Sequence, residues 1–376
     1  MFNKIKCILY TCLILIFSNS CAQSTTSIKD LEGEFISLTN EYLKINEEAS
    51  GAMVAIDHPD KPLWKFSTGF IGHAKKDQLI GEELFIAASI TKTFVAVCIL
   101  QLEEEGKLHI TDKVSQYLDR KLLKKLTEYK GKSYEDKLTI AHLLRHTSGI
   151  FDYLNEGQVH LEGYKKSPDR TYELQERVDF ALELGSATNK LGKYAYSNTN
   201  YILLGMILEK VDKKSIADVI SDRIIKPLNL KNTSLNPSND VLPKMFKGYY
   251  TDWDLTSFTL HFNKMNPAGG LLTTADDLLV FGRNLFQGRL FKSKSTLEKM
   301  LDFDKGYGLG VMQFDKSRKT GRIMGHSGFD PGYTTYLAHI EALNTTVVTV
   351  INQSELRVKM PAFLVVKTVE SIKKTL

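Results

Sequence analysis

The sequence predicts an α+β fold, an α/β sandwich. An antiparallel sheet is built from both ends of the chain and covered by the N- and C-terminal helices, and an all-helical lobe lies between. Three observations carry this expectation. GAMVAIDHP (51–59) and KPLWKFSTGF (61–70) read as two strands around an Asp-His-Pro-Asp turn. Helical periodicity then dominates from about 110 to 300. Beyond it the period returns to alternation in GYGLGVMQFD (306–315), RIMGHSGF (322–329), GYTTYLAHI (332–340) and TTVVTVINQ (345–353). Strands near both ends with helices between them suggest one composite unit, and the cleft between lobes is a natural ligand site. The 376 residues, 43% of them hydrophobic, supply ample core.

Taken in order, residues 1–21 read as a signal: a basic head, MFNKIK, then the apolar run CILYTCLILIF (7–17), too short to span a bilayer comfortably. Small residues follow, Ser18 to Ala22. Either the chain is cleaved after Ala22, or Cys21 becomes a lipidated N-terminus that attaches the protein to a membrane. Both routes predict an exported protein of the periplasm or cell envelope. Of the four cysteines, Cys7 and Cys12 fall in the signal and Cys98 reads as a small buried hydrophobe, so no disulfide framework is expected. Net charge is +5 with the signal and about +3 without it, too mild to argue for nucleic acid. The remainder, 22–376, reads as one domain: a sheet lobe from about 28–88 and 301–376 and a helical lobe from about 110–300. Residues 28–48 look helical and amphipathic. A buried helix follows Ser89. Further helices are expected at 138–150, 172–184, 199–211, 215–228 and 274–286, with a last one at about 355–374. The sequence says nothing about oligomeric state.

Ser89 and Lys92 stand at the mouth of the apolar helix FVAVCILQLEEEGKL (94–108). A structural serine there would cap the helix and favour Glu or Gln three residues on. A cation in a helix's first turn is disfavoured by the positive helix end. Broken local rules tend to mark functional sites. Residues at i and i+3 share a helix face, roughly 5–6 Å apart at Cβ, so the Lys92 amine reaches the Ser89 hydroxyl. Burial and the helix end push the ammonium pKa down, which offers a neutral amine as a base for a serine nucleophile.

Tyr196-Ser197-Asn198 precedes a second helix. In a locally extended turn, Tyr196 and Asn198 point the same way. A tyrosine near a lysine is expected to have a lowered phenol pKa and to relay protons, and Asn198 can hold a carbonyl or tie Lys92 to the serine. The plainer alternative is a capping turn. His326-Ser327-Gly328 lies in a strand whose edge can bind an extended substrate, and the amides of Ser89 and Phe329 can form an oxyanion hole. The plainer alternative here is a solvated histidine beside a turn. Each motif has a second copy: Ser371 with Lys374, Tyr153 with Asn155, and the literal Lys319-Thr320-Gly321. The last reads as an exposed hairpin turn. His142 and His146 sit at i and i+4, but HExxH is absent and no third ligand is evident, so no metal is expected.

Ser-x-x-Lys, Tyr-x-Asn and His-x-Gly in this order resemble the serine beta-lactamase/penicillin-binding superfamily, nearest its class C beta-lactamase and DD-peptidase branch. LLRHTSGI (143–150), YSNTNYILLGMILE (196–209), AGGLLTTADDL (268–278), GYGLGV (306–311) and GHSGFDPGY (325–333) resemble segments of that family across about residues 50–355. The resemblance implies a beta-lactamase/transpeptidase-like fold and an acyl-enzyme mechanism without a cofactor. Ser89 is then the acylated nucleophile, Lys92 its base and Tyr196 the proton relay. Asn198 and His326 to Gly328 bind substrate, and Ser89 and Phe329 supply the oxyanion amides. The third box begins with His where a fixed ammonium would favour substrates bearing a carboxylate. This points to a D-alanyl-D-alanine carboxypeptidase-like or D-amino-acid peptidase-like enzyme. An esterase or beta-lactamase on the same scaffold is the alternative, and a penicillin-binding sensor without turnover is the alternative of another class.

Overall fold

Six antiparallel strands form the central sheet: β1 (Gly51–Asp57), β2 (Trp64–Gly69), β3 (Met312–Ser317), β4 (Gly321–Asp330), β5 (Tyr333–Ile340) and β6 (Thr345–Ile351). Their order is β2-β1-β6-β5-β4-β3. The first two strands thus join the last four through the β1–β6 pair, in the register Ala52 to Ile351 through Asp57 to Thr346. The computed structural model describes residues 49–59, 62–154, 169–317 and 321–354, with Ser167 and scattered positions between 33 and 44. The signal segment with Cys21, the last helix expected at 355–374 and the second Ser-x-x-Lys copy lie outside the described residues.

β1 is buried along its whole length because alternate residues enter two different cores. Met53 and Ala55 face the main core; Ala52, Val54 and Ile56 face a smaller one with Trp64, Phe66, Ile323 and Ile340. Leu43, in the helical turns described between 33 and 44, packs on that smaller core, so the N-terminal helix covers this face as expected.

The helices run in chain order: α1 (Thr91–Glu104), α2 (Arg120–Leu126), α3 (Ile140–Leu144), α4 (Leu174–Leu184), α5 (Thr199–Asp212), α6 (Ile216–Ile220), α7 (Thr256–Asn263), α8 (Ala275–Phe286) and α9 (Lys294–Met300). α1 is apolar all round and sits at the centre, where Phe94 through Leu100 are fully buried. It packs against α5, and Phe94 stacks on Phe281 of α8 with ring centroids 3.6 Å apart. Deleting the Phe94 ring would cost about 3–5 kcal/mol.

Four readings change. α8, expected within the helical lobe, lies against β1, β5 and β6 and covers the sheet's inner face. Its apolar stripe of Leu278, Phe281 and Leu285 needs a partner surface, and the sheet is the nearest unpaired one. The helix expected at 138–150 is a short one, because Arg145 leaves helical geometry and His146 takes a positive φ of 54°. The segment at 215–228 is helical only to Ile220, then widens to a π-turn. α2, α7 and α9 were not expected; none exceeds eight residues, too few for a clear period.

Candidate active site

The chain reaches Ser89 through a backbone kink. Ala88, just before it, has φ 52°, unusual for a residue with a Cβ. A 3₁₀ turn, Ala88–Ile90, then runs into α1. Ser89 caps nothing. Thr91 holds the turn instead, donating its hydroxyl to the Ala88 carbonyl at 2.7 Å and accepting from the Leu271 N–H at 3.0 Å. That leaves the Ser89 hydroxyl, on a half-buried residue, available to Lys92 and Tyr196.

Lys92 Nζ lies 2.8 Å from Ser89 Oγ, 2.7 Å from Asn198 Oδ1 and 2.5 Å from the Ala268 carbonyl. Three partners suit both protonation states. An ammonium donates to all three; a neutral amine donates to Asn198 and Ala268 and accepts the Ser89 proton. Lys92 is fully buried, and burial drops its amine to about 7 against the pull of Asp152 and Asp330. The Lys92 amine is therefore within reach of the Ser89 hydroxyl and partly neutral near pH 7.

Tyr196 donates its hydroxyl to Ser89 Oγ at 2.9 Å. The expectation that Lys92 would lower the phenol pKa is corrected. Burial drives it well above the ordinary value, with only the Ser89 hydrogen bond opposing. A buried phenolate is costly, and loss of solvation outweighs a lysine that is itself often neutral. Tyr196 thus stays a proton donor.

Asn198, just ahead of α5, has its amide orientation dictated by Asp152. Its Nδ2 lies 3.1 and 3.0 Å from the two carboxylate oxygens, which only accept, so Oδ1 must face Lys92. The capping alternative fails for Asn198, whose side chain makes no cap bond.

His326 is fully buried rather than solvated. Its Nε2 lies 3.0 Å from the Tyr307 hydroxyl and its Nδ1 2.6 Å from the Ser327 carbonyl. Burial, then the charge of Lys92, hold the imidazole down to about 3. Gly328 presses its backbone against the turn that carries Ser89. A Cβ there would collide with the Ala87 carbonyl and Thr335 Oγ1 and crowd Ala88 at 3.0 Å. β3 pairs with β4 only as far as Gly325, so the pairing with β3 does not extend along Ser327, Gly328 and Phe329. Phe329 is half-exposed there.

The structure thus brings Ser89, Lys92, Tyr196 and Asn198 into direct contact and sets the Gly328 backbone against the turn that carries Ser89. The second copies do not share this. Tyr153 is buried, accepting from Asn266 Nδ2 at 3.2 Å, while Asn155 lies outside the described residues. Gly321 opens β4 opposite Ser317, while Lys319 and Thr320 are not described. His142 caps α3 through Thr139, and both nitrogens of His146 are engaged by protein groups. Among the described residues no cluster of three His, Cys, Asp or Glu side chains is placed to hold a metal.

Sequence reasoning missed Asp152, Asp330, Tyr307 and the Ala268 carbonyl. Asp330 is buried, and burial raises its carboxyl to about 7 against Asn263, Lys92 and Arg177. Asp152 follows HTSGIF directly, and an acid on an apolar stretch was the available signal. A backbone carbonyl leaves none.

A model of the Beta-lactamase family matches residues 38–365. The chain is 28% identical over 340 residues to Penicillin-binding protein 4* of Bacillus subtilis, covering 84% of this chain and 70% of that protein. Among solved structures it is similar to a D-stereospecific amidohydrolase from Streptomyces sp., at TM-score 0.71 and 25% identity over 85% of this chain and 94% of that one. It shares its fold with the D-amino acid amidase of Ochrobactrum anthropi SV3, at TM-score 0.76 and 22% identity over 92% and 99%.

Proposed function

The chain belongs to the beta-lactamase family of serine hydrolases, and from that premise we propose that it cleaves amide bonds at D-amino-acid residues through an acyl-enzyme on Ser89. One observation carries the proposal: Ser89 Oγ lies within hydrogen-bond distance of both a buried amine and a buried phenol, 2.8 and 2.9 Å away. The amine takes the hydroxyl proton as Oγ attacks the substrate carbonyl. Amides at Ser89 and Phe329 receive the developing oxyanion. Tyr196 passes a proton to the leaving group and regains one from the Lys92 ammonium; water then attacks the acyl ester, gives its proton to the amine and releases the acid while Ser89 regains its hydrogen.

D-configured amides are the substrate class supported by the likeness to the D-stereospecific amidohydrolase. Within that class two leaving groups fit: a residue ending in a carboxylate, as in D-alanyl-D-alanine, and an uncharged amine. Lys92, Tyr196 and Asn198 stand in contact around Ser89, which favours turnover over a sensor that only acylates. Export, with Cys21 as a lipidation site, is part of the same proposal and rests on residues 1–22.

One panel tests the reading: nitrocefin, a D-alanyl-D-alanine peptide, D-amino-acid amides and p-nitrophenyl esters of short acids, with wild type and Ser89→Ala. Steady turnover of D-amides that vanishes in the variant is expected. A burst without turnover on every substrate would identify a sensor instead, and turnover of the esters alone an esterase.

A further inference from the structure

Behind the nucleophile, His146, Tyr307 and His326 form a buried hydrogen-bonded row, at 0, 2 and 0% exposure, and none of the proton transfers above uses it. The polarity of this row follows from its two ends. At one end the Ser197 backbone N–H points at His146 Nδ1 from 3.1 Å, and Asn200 Nδ2 lies 3.1 Å from the same atom. A backbone N–H only donates, so Nδ1 is bare and the ring proton sits on Nε2. That Nε2 lies 3.2 Å from the Tyr307 hydroxyl, which therefore accepts from it and has its own proton to pass on. At the other end His326 Nδ1 lies 2.6 Å from the Ser327 carbonyl, which only accepts, so this nitrogen carries a proton. His326 Nε2 is then bare and takes the Tyr307 proton across 3.0 Å. Two independent backbone groups demand one polarity, with both imidazoles neutral; the Tyr201 hydroxyl, which donates to the Leu144 carbonyl at 3.1 Å, also bonds Tyr307 and shares the Tyr307 proton with His326 Nε2.

We propose that His146 and Tyr307 are positioning residues that lock His326 as the neutral Nδ1–H tautomer, so that the strand segment beside Ser89 presents no cation and the enzyme prefers leaving groups without a carboxylate. The proposal deepens the hydrolase reading and rests on it for its substrate half. A second proton on His326 would have to enter at Nε2, against a hydroxyl that already points its hydrogen there. Reversing that hydroxyl is blocked by the His146 N–H. The ionisable groups around His326 are Lys92 from α1, Tyr196 ahead of α5, His146 after α3 and Tyr307 before β3, with Tyr201 beside Tyr307. None is an acid that would draw a proton to the ring. Burial and the charge of Lys92 act in the same direction as the lock.

The test joins spectroscopy to a matched substrate pair. In protein labelled with ring-¹⁵N histidine, two-bond ¹H–¹⁵N spectra from about pH 5.5 to 8 are expected to show His326 protonated at Nδ1 alone throughout. The substrates are the D-phenylalanyl amides of 4-aminobenzamide and 4-aminobenzoate, which differ in one charge. We expect wild type to favour the uncharged one about tenfold or more in kcat/KM, with a ratio flat across that pH range. Tyr307→Phe, with folding checked by its melting curve, should free His326 Nε2, let the ring take a second proton there at the acid end of the range and shrink the ratio at that end. A wild-type His326 that titrates in this range or is protonated at Nε2 would overturn the lock, as would a Tyr307→Phe spectrum and ratio both unchanged. Equal or faster cleavage of the 4-aminobenzoate amide by wild type would overturn the substrate claim. If neither amide is cleaved and Ser89 takes no acyl group, the hydrolase reading falls, and the spectrum still judges the lock.

Discussion

Asp152 holds Asn198 at three points: the side-chain nitrogen against both carboxylate oxygens, at 3.1 and 3.0 Å, and the Asn198 backbone N–H at 3.1 Å. One acid thereby fixes which end of the amide faces Lys92. Its charge also raises the Lys92 pKa, against the larger effect of burial. Asp152→Asn keeps the shape and removes the charge. The acid limb of its kcat/KM profile should move to lower pH. Asp152→Ala frees the amide to turn and should cost about 10²-fold in kcat/KM, the scale of a small misplacement at a reacting centre. A pH profile of both variants checks this.

With Lys92 as the proposed base, its pKa should set the pH dependence of the first step. Burial has lowered its pKa to about 7, so the neutral base is present above that value and lost as pH falls through it. In wild type kcat/KM on a neutral substrate should rise through about pH 7. Lys92→Arg keeps a fixed cation and no base; it should lose about 10²–10⁴-fold and flatten the rise.

Tyr196 matters in proportion to how much help the leaving group needs. An amine must be protonated as it departs, whereas p-nitrophenolate need not be. Tyr196→Phe should therefore lose about 10²–10⁴-fold on a D-amino-acid amide and markedly less on the p-nitrophenyl ester of the same acid. Equal losses on the two would show that the phenol acts at the attack step.

Much of this site was legible because its chemistry breaks helix rules. Lys92 stands where a capping acid belongs, and that anomaly drew attention to Ser89, while the ordered Tyr-x-Asn and His-x-Gly segments separated it from the copy at Ser371. The sheet was legible because β1 is an apolar run, and the segments of β5 and β6 leave the helical period, each bounded by turn residues. Two kinds of feature were not legible. Burial depth decides the Tyr196 and His326 pKa values, and a local pattern does not report it. Contacts such as Asp152 with Asn198, 46 residues apart, depend on how α3 and α5 pack. α8 was misplaced for a related reason: an amphipathic stripe says that a helix packs, not against what.

Asp330 should make the site costly to the fold. Burial raises its carboxyl from 3.8 to about 7. Across that window the unfolded chain has lost a proton that the native state keeps, so wild-type stability falls as pH rises. Asp330→Asn has no such titration. Its stability relative to wild type should therefore climb between about pH 4 and 7, read from urea unfolding at several pH values.

The most direct measurement is the intact mass of the protein after brief exposure to a penicillin or a fluorophosphonate, with the modified residue located by peptide mapping. Wild type should gain one adduct, carried on Ser89, and Ser89→Ala should gain none. An adduct of undiminished yield in Ser89→Ala, or one mapped to another residue in wild type, would contradict the assignment of Ser89 as nucleophile.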